Sequence, residues 1–211
     1  MNFLAHLHLS PNLSEVRVFN FTADGFKGQS WREGSSPAQR LGIDLHRFID
    51  QFADAHPLSL DTKKLLYPKV GKYASVALDL MGDFFLHRHW NWTQNCPTPT
   101  AAEFIQICLE DIAAHQHLLV GRAAHMAPHL FKENWLLSYQ SVEGLARAAS
   151  GITYRHRGGE AFAHYFNTTL ESQMDLYEPW FLRMYGDLQQ AAKNFCEQHP
   201  DWGQLQGGNI I

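Results

Sequence analysis

Two pairs of metal-competent side chains recur at one-turn spacing in the first half of the chain. His46 and Asp50 stand four apart in LHRFID, and Asp79 and Asp83 stand four apart in LDLMGDF. Residues four apart share one helix face. His6 and His8 lie upstream in NFLAHLHL, and Asp24 follows in FTADGFKG. Two helices that each present two oxygen or nitrogen donors can enclose a divalent cation. An ionised carboxylate buried without a partner is costly. Something positive must therefore face Asp79 and Asp83, and the choices are Arg47, Arg88 or a divalent metal. Mixed His and Asp donors suit Mn, Fe, Zn or Mg-like ions, and the carboxylate share favours the harder ones. Such an ion lowers the pKa of a bound water and polarises a phosphoryl oxygen. The chemistry indicated is hydrolytic.

Other clusters carry less. His87 and His89 flank Arg88 and read as surface. His115, His117, His125 and His129 include i,i+2 spacings, which do not share a helix face. Glu110 and Asp111 read as a solvated face. No Ser or Cys sits in a Gly-flanked nucleophile elbow. Lys63, Lys64, Lys69 and Lys72 in KKLLYPKVGK read either as solvated surface or as a dock for an acidic partner.

These side chains need a scaffold, and its period is helical. Residues 37–55 place Leu41, Leu45, Phe48, Ile49 and Phe52 at steps of three and four, with Pro37 as a start signal and Pro57 beyond the end. Residues 73–91 are apolar nearly all round, which predicts a central position. Residues 101–120 form a third helix, with Thr100 as N-cap and Glu103 completing a capping box. Residues 129–148 and 159–197 are also helical, with a kink or break expected at Pro179. NFLAHLHL alternates briefly but fits a short helix, and no run of strands stands out. Segments 28–36 and 91–100 read as irregular. The expectation is an all-α, single-domain helical bundle over residues 1–200, with a frayed tail over 201–211.

Bulk properties agree. The chain has 211 residues, 45% hydrophobic and 18% charged, with 14 Phe, 7 Tyr and 6 Trp to build one core. A net charge of −4 gives no pull toward nucleic acid or anionic lipid. The three Cys (96, 108 and 196) form no CxxC and read as indifferent thiols in a reducing compartment. With neither a signal peptide nor a stretch of ~20 apolar residues, a cytoplasmic protein with no membrane partner is expected. Oligomeric state stays open.

MNFLAHLHLS, ADGFKG, LGIDLHRFIDQFADAHP and LDLMGDFFLHRHW together resemble the acyl carrier protein phosphodiesterase family. The motifs cover roughly residues 1–92, and the rest matches as a helical frame. The family looks like a divergent branch of the HD-type metal phosphohydrolases, so the resemblance implies an HD-like bundle. It also implies an activity: hydrolysis of the phosphodiester joining 4'-phosphopantetheine to a serine of holo acyl carrier protein. The implied cofactor is a divalent metal, with Mn(II) preferred over Mg(II) or Fe(II). Carried over by motif, His6, Asp24, His46, Asp50, Asp79 and Asp83 form the metal site, with Asp24, His46, Asp50 and Arg47 as catalytic residues. Arg47 would neutralise phosphoryl charge or pair with Asp50 or Asp44. His8 would donate to a ligand, and the four lysines would steer the acidic carrier. Phe84 departs from the family, which often has His there. Two rivals remain at this point: an HD-like hydrolase of a nucleotide or other small phosphoester, and a carrier-binding protein without turnover.

Overall fold

Capping residues and apolar spacing set the helices of this computed structural model, which describes residues 1–92, 98–155 and 158–206. The first half holds α1 (Phe3–His8), α2 (Ser14–Thr22), α3 (Pro37–Ala55), α4 (Pro57–Val70) and α5 (Ala74–Arg88). The second half holds α6 (Ala101–Ala114), α7 (Gly121–Glu133), α8 (Trp135–Ser138) and α9 (Val142–Arg155). It ends with α10 (Glu160–Thr168), α11 (Met174–Gln198) and α12 (Trp202–Gln206). Among the described residues there is no strand, and one hydrophobic core runs through the helices. The fold is all-α and single-domain. No helix among the described residues is long and apolar enough to cross a membrane.

Helix α3 starts where Ser36 Oγ accepts the Gln39 amide at 3.1 Å with Pro37 in the first turn. It stops before Pro57. Its stripe of Leu41, Leu45 and Ile49 is fully buried. Gly42 lets α2 come close: a Cβ there would lie 2.6 Å from the Val16 carbonyl oxygen and 2.6 Å from Phe19 Cβ. That contact sets α2 against the His46 turn of α3. Helix α5 is buried nearly all round, through Leu78, Leu80, Met81, Phe84 and Phe85. Phe84 itself is a core ring, edge-on to Phe85.

Several boundaries depart from the sequence pattern. The helix expected over 101–120 ends at Ala114, and a 3-10 turn covers Gln116–Leu118. Residues 129–148 divide because Asn134 adopts a left-handed conformation, φ 41°, between α7 and α8. The chain breaks instead between α10 and α11, and α11 continues as one helix past Pro179. Tyr177, Trp180, Phe181, Met184 and Tyr185 are buried on both sides of the proline. Their packing outweighs one missing backbone hydrogen bond. Of the segment expected to fray, Asp201 receives Arg40 Nε at 2.8 Å and Nη2 at 2.6 Å, and α12 packs against α3 and α11. Residues 207–211 and Cys96 lie outside the described residues. Cys108 and Cys196 are free and buried.

Candidate metal centre

Two helices bring His6, His46 and Asp50 together. Helix α1 supplies His6, and one face of α3 supplies His46 and Asp50. Each residue can offer a donor atom within 4.8 Å of the other two. His6 Nε2 lies 3.1 Å from Asp50 Oδ1, and His46 Nε2 lies 3.3 Å from Asp50 Oδ2. Asp24, on the 3-10 turn Ala23–Gly25, reaches to 3.4 Å from His46 Nε2. The imidazoles are buried, whereas the Asp24 and Asp50 side chains are 68% and 41% exposed. The cluster therefore has a closed nitrogen side and an open carboxylate side.

Asn20, which stands at no metal-ligand spacing in the sequence, sets both rings. Its side-chain Oδ1 lies 3.0 Å from His6 Nδ1, and its Nδ2 donates to the His6 carbonyl and to Ser10 Oγ. These two donated bonds fix which end of the amide is oxygen, so His6 Nδ1 carries the proton. The Asn20 backbone carbonyl accepts from His46 Nδ1 at 2.9 Å. Both Nδ1 atoms are thereby donors, and both Nε2 atoms turn toward Asp50. A fully buried asparagine in the apolar run VFNFT was the available signal.

Electrostatics separate the two imidazoles. Burial pushes His6 down to about 4, with the neighbouring His46 adding to the effect. Burial also pulls on His46, but Asp24 and Asp50 outweigh it and raise it to about 9. Asp50 is destabilised by burial, yet its two histidine partners hold it well below the usual carboxylate range. Contact with His46 lowers Asp24 too.

The donor set of His6, His46 and Asp50 is compatible with a divalent ion. Bonds of ~2.1–2.2 Å to one ion place neighbouring donors about 3.0–3.5 Å apart. The contacts here are 3.1 Å to Asp50 Oδ1 from His6, 3.3 Å to Asp50 Oδ2 from His46 and 3.4 Å to Asp24 from His46, and one donor atom each from His6, His46 and Asp50 lies within 4.8 Å of the other two. His46 Nε2 is buried and makes no hydrogen bond, so its contacts with Asp24 and Asp50 are charge contacts only. Two nitrogens with carboxylate oxygens match Mn, Fe or Zn better than Ca.

The remaining expected residues stand apart from this trio. Asp79 approaches Asp50 through the Met1 amine, which lies 3.3 Å from Asp79 and 3.1 Å from Asp50. Asp83 is fully buried and accepts the Leu4 and Ala5 amides at 3.2 and 3.1 Å. It caps α1. The positive partners expected for the α5 carboxylates are thus an amine and two backbone amides, since Arg88 pairs with Glu178. His8 points to α11, with Nδ1 2.8 Å from the Tyr185 hydroxyl. Arg47 donates to the Phe26 and Gly28 carbonyls and lies over Trp31, bracing the loop after Asp24. It pairs with neither Asp50 nor Asp44, and Asp44 is held by Arg32. Lys63 and Lys64 pair locally with Asp54 and Asp61. Lys69 turns to Gln173 and Tyr177 of the α10–α11 region, and Lys72 sits over Tyr73.

The domain is all-helical, and its half-open His–Asp cluster, with imidazoles oriented from behind, is compatible with a divalent metal. Comparison with known proteins goes further. The family model described as acyl carrier protein phosphodiesterase matches residues 1–188, and the chain belongs to that family. A relative named acyl carrier protein phosphodiesterase from Photorhabdus laumondii is 29% identical over 195 residues, covering 92% of this chain and 96% of the relative. Relatives of the same name from Klebsiella pneumoniae and Yersinia pestis are also 29% identical, covering 92% of this chain and 98% of each relative. No solved structure matches the chain. The match extends well past the motifs of residues 1–92.

Proposed function

We propose that this protein hydrolyses holo acyl carrier protein to the apo carrier and 4'-phosphopantetheine, using a divalent metal held by His6, His46, Asp50 and Asp24. The observation that carries the metal reading is the convergence of two Nδ1-tethered imidazoles on Asp50 at 3.1 and 3.3 Å. Asp79 borders the open side and completes the carboxylate set. Mn(II) suits the mixed donors best, with Mg(II) or Fe(II) as alternatives. When bound, such an ion supplies Lewis acidity, which activates water and offsets charge on a phosphoryl oxygen.

The chain's own groups do the rest. Asn20 keeps both Nε2 lone pairs directed at the cluster. Asp24 and Asp50, ionised across the physiological range, can orient a water by accepting its hydrogen bonds. Arg47 has no carboxylate partner among the described residues. Its free guanidinium edge would offset charge on the phosphodiester as the carrier serine oxygen leaves. An HD-type scaffold, a cytoplasmic setting and a role in the lipid metabolism served by acyl carriers belong to the same reading. So does docking of the acidic carrier along Lys63, Lys64, Lys69 and Lys72. Reversing the charge of Lys63 and Lys64 together should raise the KM for carrier protein, and an unchanged KM removes that dock.

The direct test is mass spectrometry of holo carrier protein incubated with this protein and Mn(II). Loss of the phosphopantetheine mass, abolished by Asp24→Ala, is the expected result. An unchanged mass with metal bound and the fold intact would overturn the reading.

A further inference from the structure

Helix α4 carries an inverted pattern. It buries two hydroxyl residues: Ser59 Oγ accepts from Trp180 Nε1 at 3.0 Å, and Thr62 Oγ1 donates to the Leu58 carbonyl at 2.7 Å. It exposes Leu60 at 46%, Leu65 at 52% and Tyr67 at 64%. Leu66 and Val70 on the inner face already anchor the helix. Single apolar side chains on a surface need no explanation. Three on little more than two turns, over an inner face that holds hydroxyls, point to a surface that something else covers.

Helix geometry divides the three between two flanks. Leu60, Lys64 and Tyr67 follow i, i+4, i+7 spacing and share one flank with Lys63. Leu65 stands two residues before Tyr67 and so lies about 160° round the helix from it. Lys69, one turn beyond Leu65, turns toward α11 and donates to Gln173 and Tyr177. The first flank faces the metal centre instead. Lys63 Nζ donates to Asp54 Oδ1 at 2.8 Å, and Asp54 follows Asp50 by one turn of α3, about 6 Å along the helix. The charge of Asp54 is also felt at Asp79. The flank of Leu60 and Tyr67 therefore borders the open carboxylate side of the cluster.

Its charge fits an acidic partner. Four of the chain's seven lysines fall within residues 63–72, in a chain of net charge −4. Lys63 and Lys64 pair with Asp54 and Asp61, but both carboxylates are exposed. Such exposed pairs are weak, so a partner's carboxylates can replace them. Apolar anchors within a basic surface suit an acidic protein with an apolar patch of its own.

We propose that the flank of α4 formed by Leu60, Lys63, Lys64 and Tyr67 is the surface on which the acidic carrier lies while its phosphodiester reaches the metal centre, with Leu60 and Tyr67 as apolar anchors. The choice of partner rests on the proposed hydrolysis. The surface narrows the basic dock to Lys63 and Lys64, since Lys69 is engaged by Tyr177 and Lys72 sits over Tyr73.

The test is binding of fluorescently labelled apo carrier protein, which has no phosphodiester to lose, to the full-length protein with Mn(II). Steady-state hydrolysis of holo carrier is measured beside it. Leu60→Asp and Tyr67→Asp should each weaken apo-carrier binding at least about tenfold and raise KM by a similar factor. Their kcat, Mn(II) affinity and helical circular dichroism should match the wild type. Leu65→Asp, the same change on the far flank, should match it in every readout. Wild-type binding by both anchor variants overturns the proposal, and so does an equal loss in Leu65→Asp. Carrier hydrolysis with KM unmoved in the anchor variants overturns the dock alone. Apo-carrier binding that depends on Leu60 and Tyr67, without hydrolysis of holo carrier, overturns the proposed function and leaves the dock standing.

Discussion

The His6 and His46 rings stack 4.1 Å apart at an interplanar angle of 19°, and both are tied through Nδ1 to the single residue Asn20. Two imidazoles from different helices so close would repel each other if both were charged. The protein avoids this by keeping His6 neutral and giving His46 two carboxylate neighbours. Asn20 decides which nitrogen of each ring faces Asp50, and a cation needs that nitrogen bare.

Asn20 therefore gives the first prediction. Asn20→Ala should weaken Mn(II) binding by about 10–100-fold, the usual effect of losing a residue that orients a metal ligand. It should also cost about 1–3 kcal/mol of stability, since it leaves buried partners unsatisfied. Calorimetric Mn(II) titration and thermal melts of the same variant check both. Wild-type affinity in a folded variant would take the orienting role away from Asn20.

Metal binding should depend on pH with a definite sign. His46 keeps its proton up to about 9 in the metal-free protein, while His6, at about 4, is already neutral. A cation must displace the His46 proton, so Mn(II) affinity should rise with pH between about 6.5 and 8, approaching tenfold per unit. About one proton should be released per ion, measurable by titration in buffers of different ionisation enthalpy. A flat profile would remove His46 from the ligand set. The same raised pKa stabilises the metal-free fold below about 6.5, and that contribution is lost as pH climbs through about 9.

Asp83 separates a capping role from a ligand role. Asp83→Ala should cost about 2 kcal/mol by stripping the Leu4 and Ala5 amides of their acceptor. Asp83→Asn keeps one acceptor oxygen and should still bind Mn(II). Burial raises Asp83 to about 7 despite its two amide bonds. A carboxyl raised in this way costs stability as pH rises from about 4 toward 7. Denaturant melts at pH 5 and pH 7.5 should show that loss in the wild type and a smaller one in Asp83→Asn. Abolished metal binding in Asp83→Asn would instead make Asp83 a ligand.

Arg47→Lys tests geometry against charge. Lysine keeps the charge but cannot span the Phe26 and Gly28 carbonyls while lying over Trp31. A fall in kcat of about 10-fold or more with unchanged Mn(II) affinity is expected. Wild-type kcat in the lysine variant would reduce the role to simple charge.

Local signals settled most of the helices. Ser36–Pro37 starts α3, and the Thr100–Glu103 capping box starts α6, because these devices act within one turn. The i,i+4 pair His46–Asp50 was legible for the same reason: one helix face puts both side chains on one side. The matching spacing of Asp79 and Asp83 was legible too, but spacing does not say which neighbour arrives. The fold brings the start of α1 onto Asp83, whose oxygens take backbone amides, and brings His6 onto Asp50 from 44 residues away. Pro179 marked a break that buried aromatic packing overrides. Asn20 was hidden because its importance lies in contacts to two other helices, and Gly42 matters only because α2 crosses it. Helix faces follow from periodicity within one segment. Which faces meet, and which polar groups are left facing each other once water is excluded, depends on packing between segments far apart in the chain.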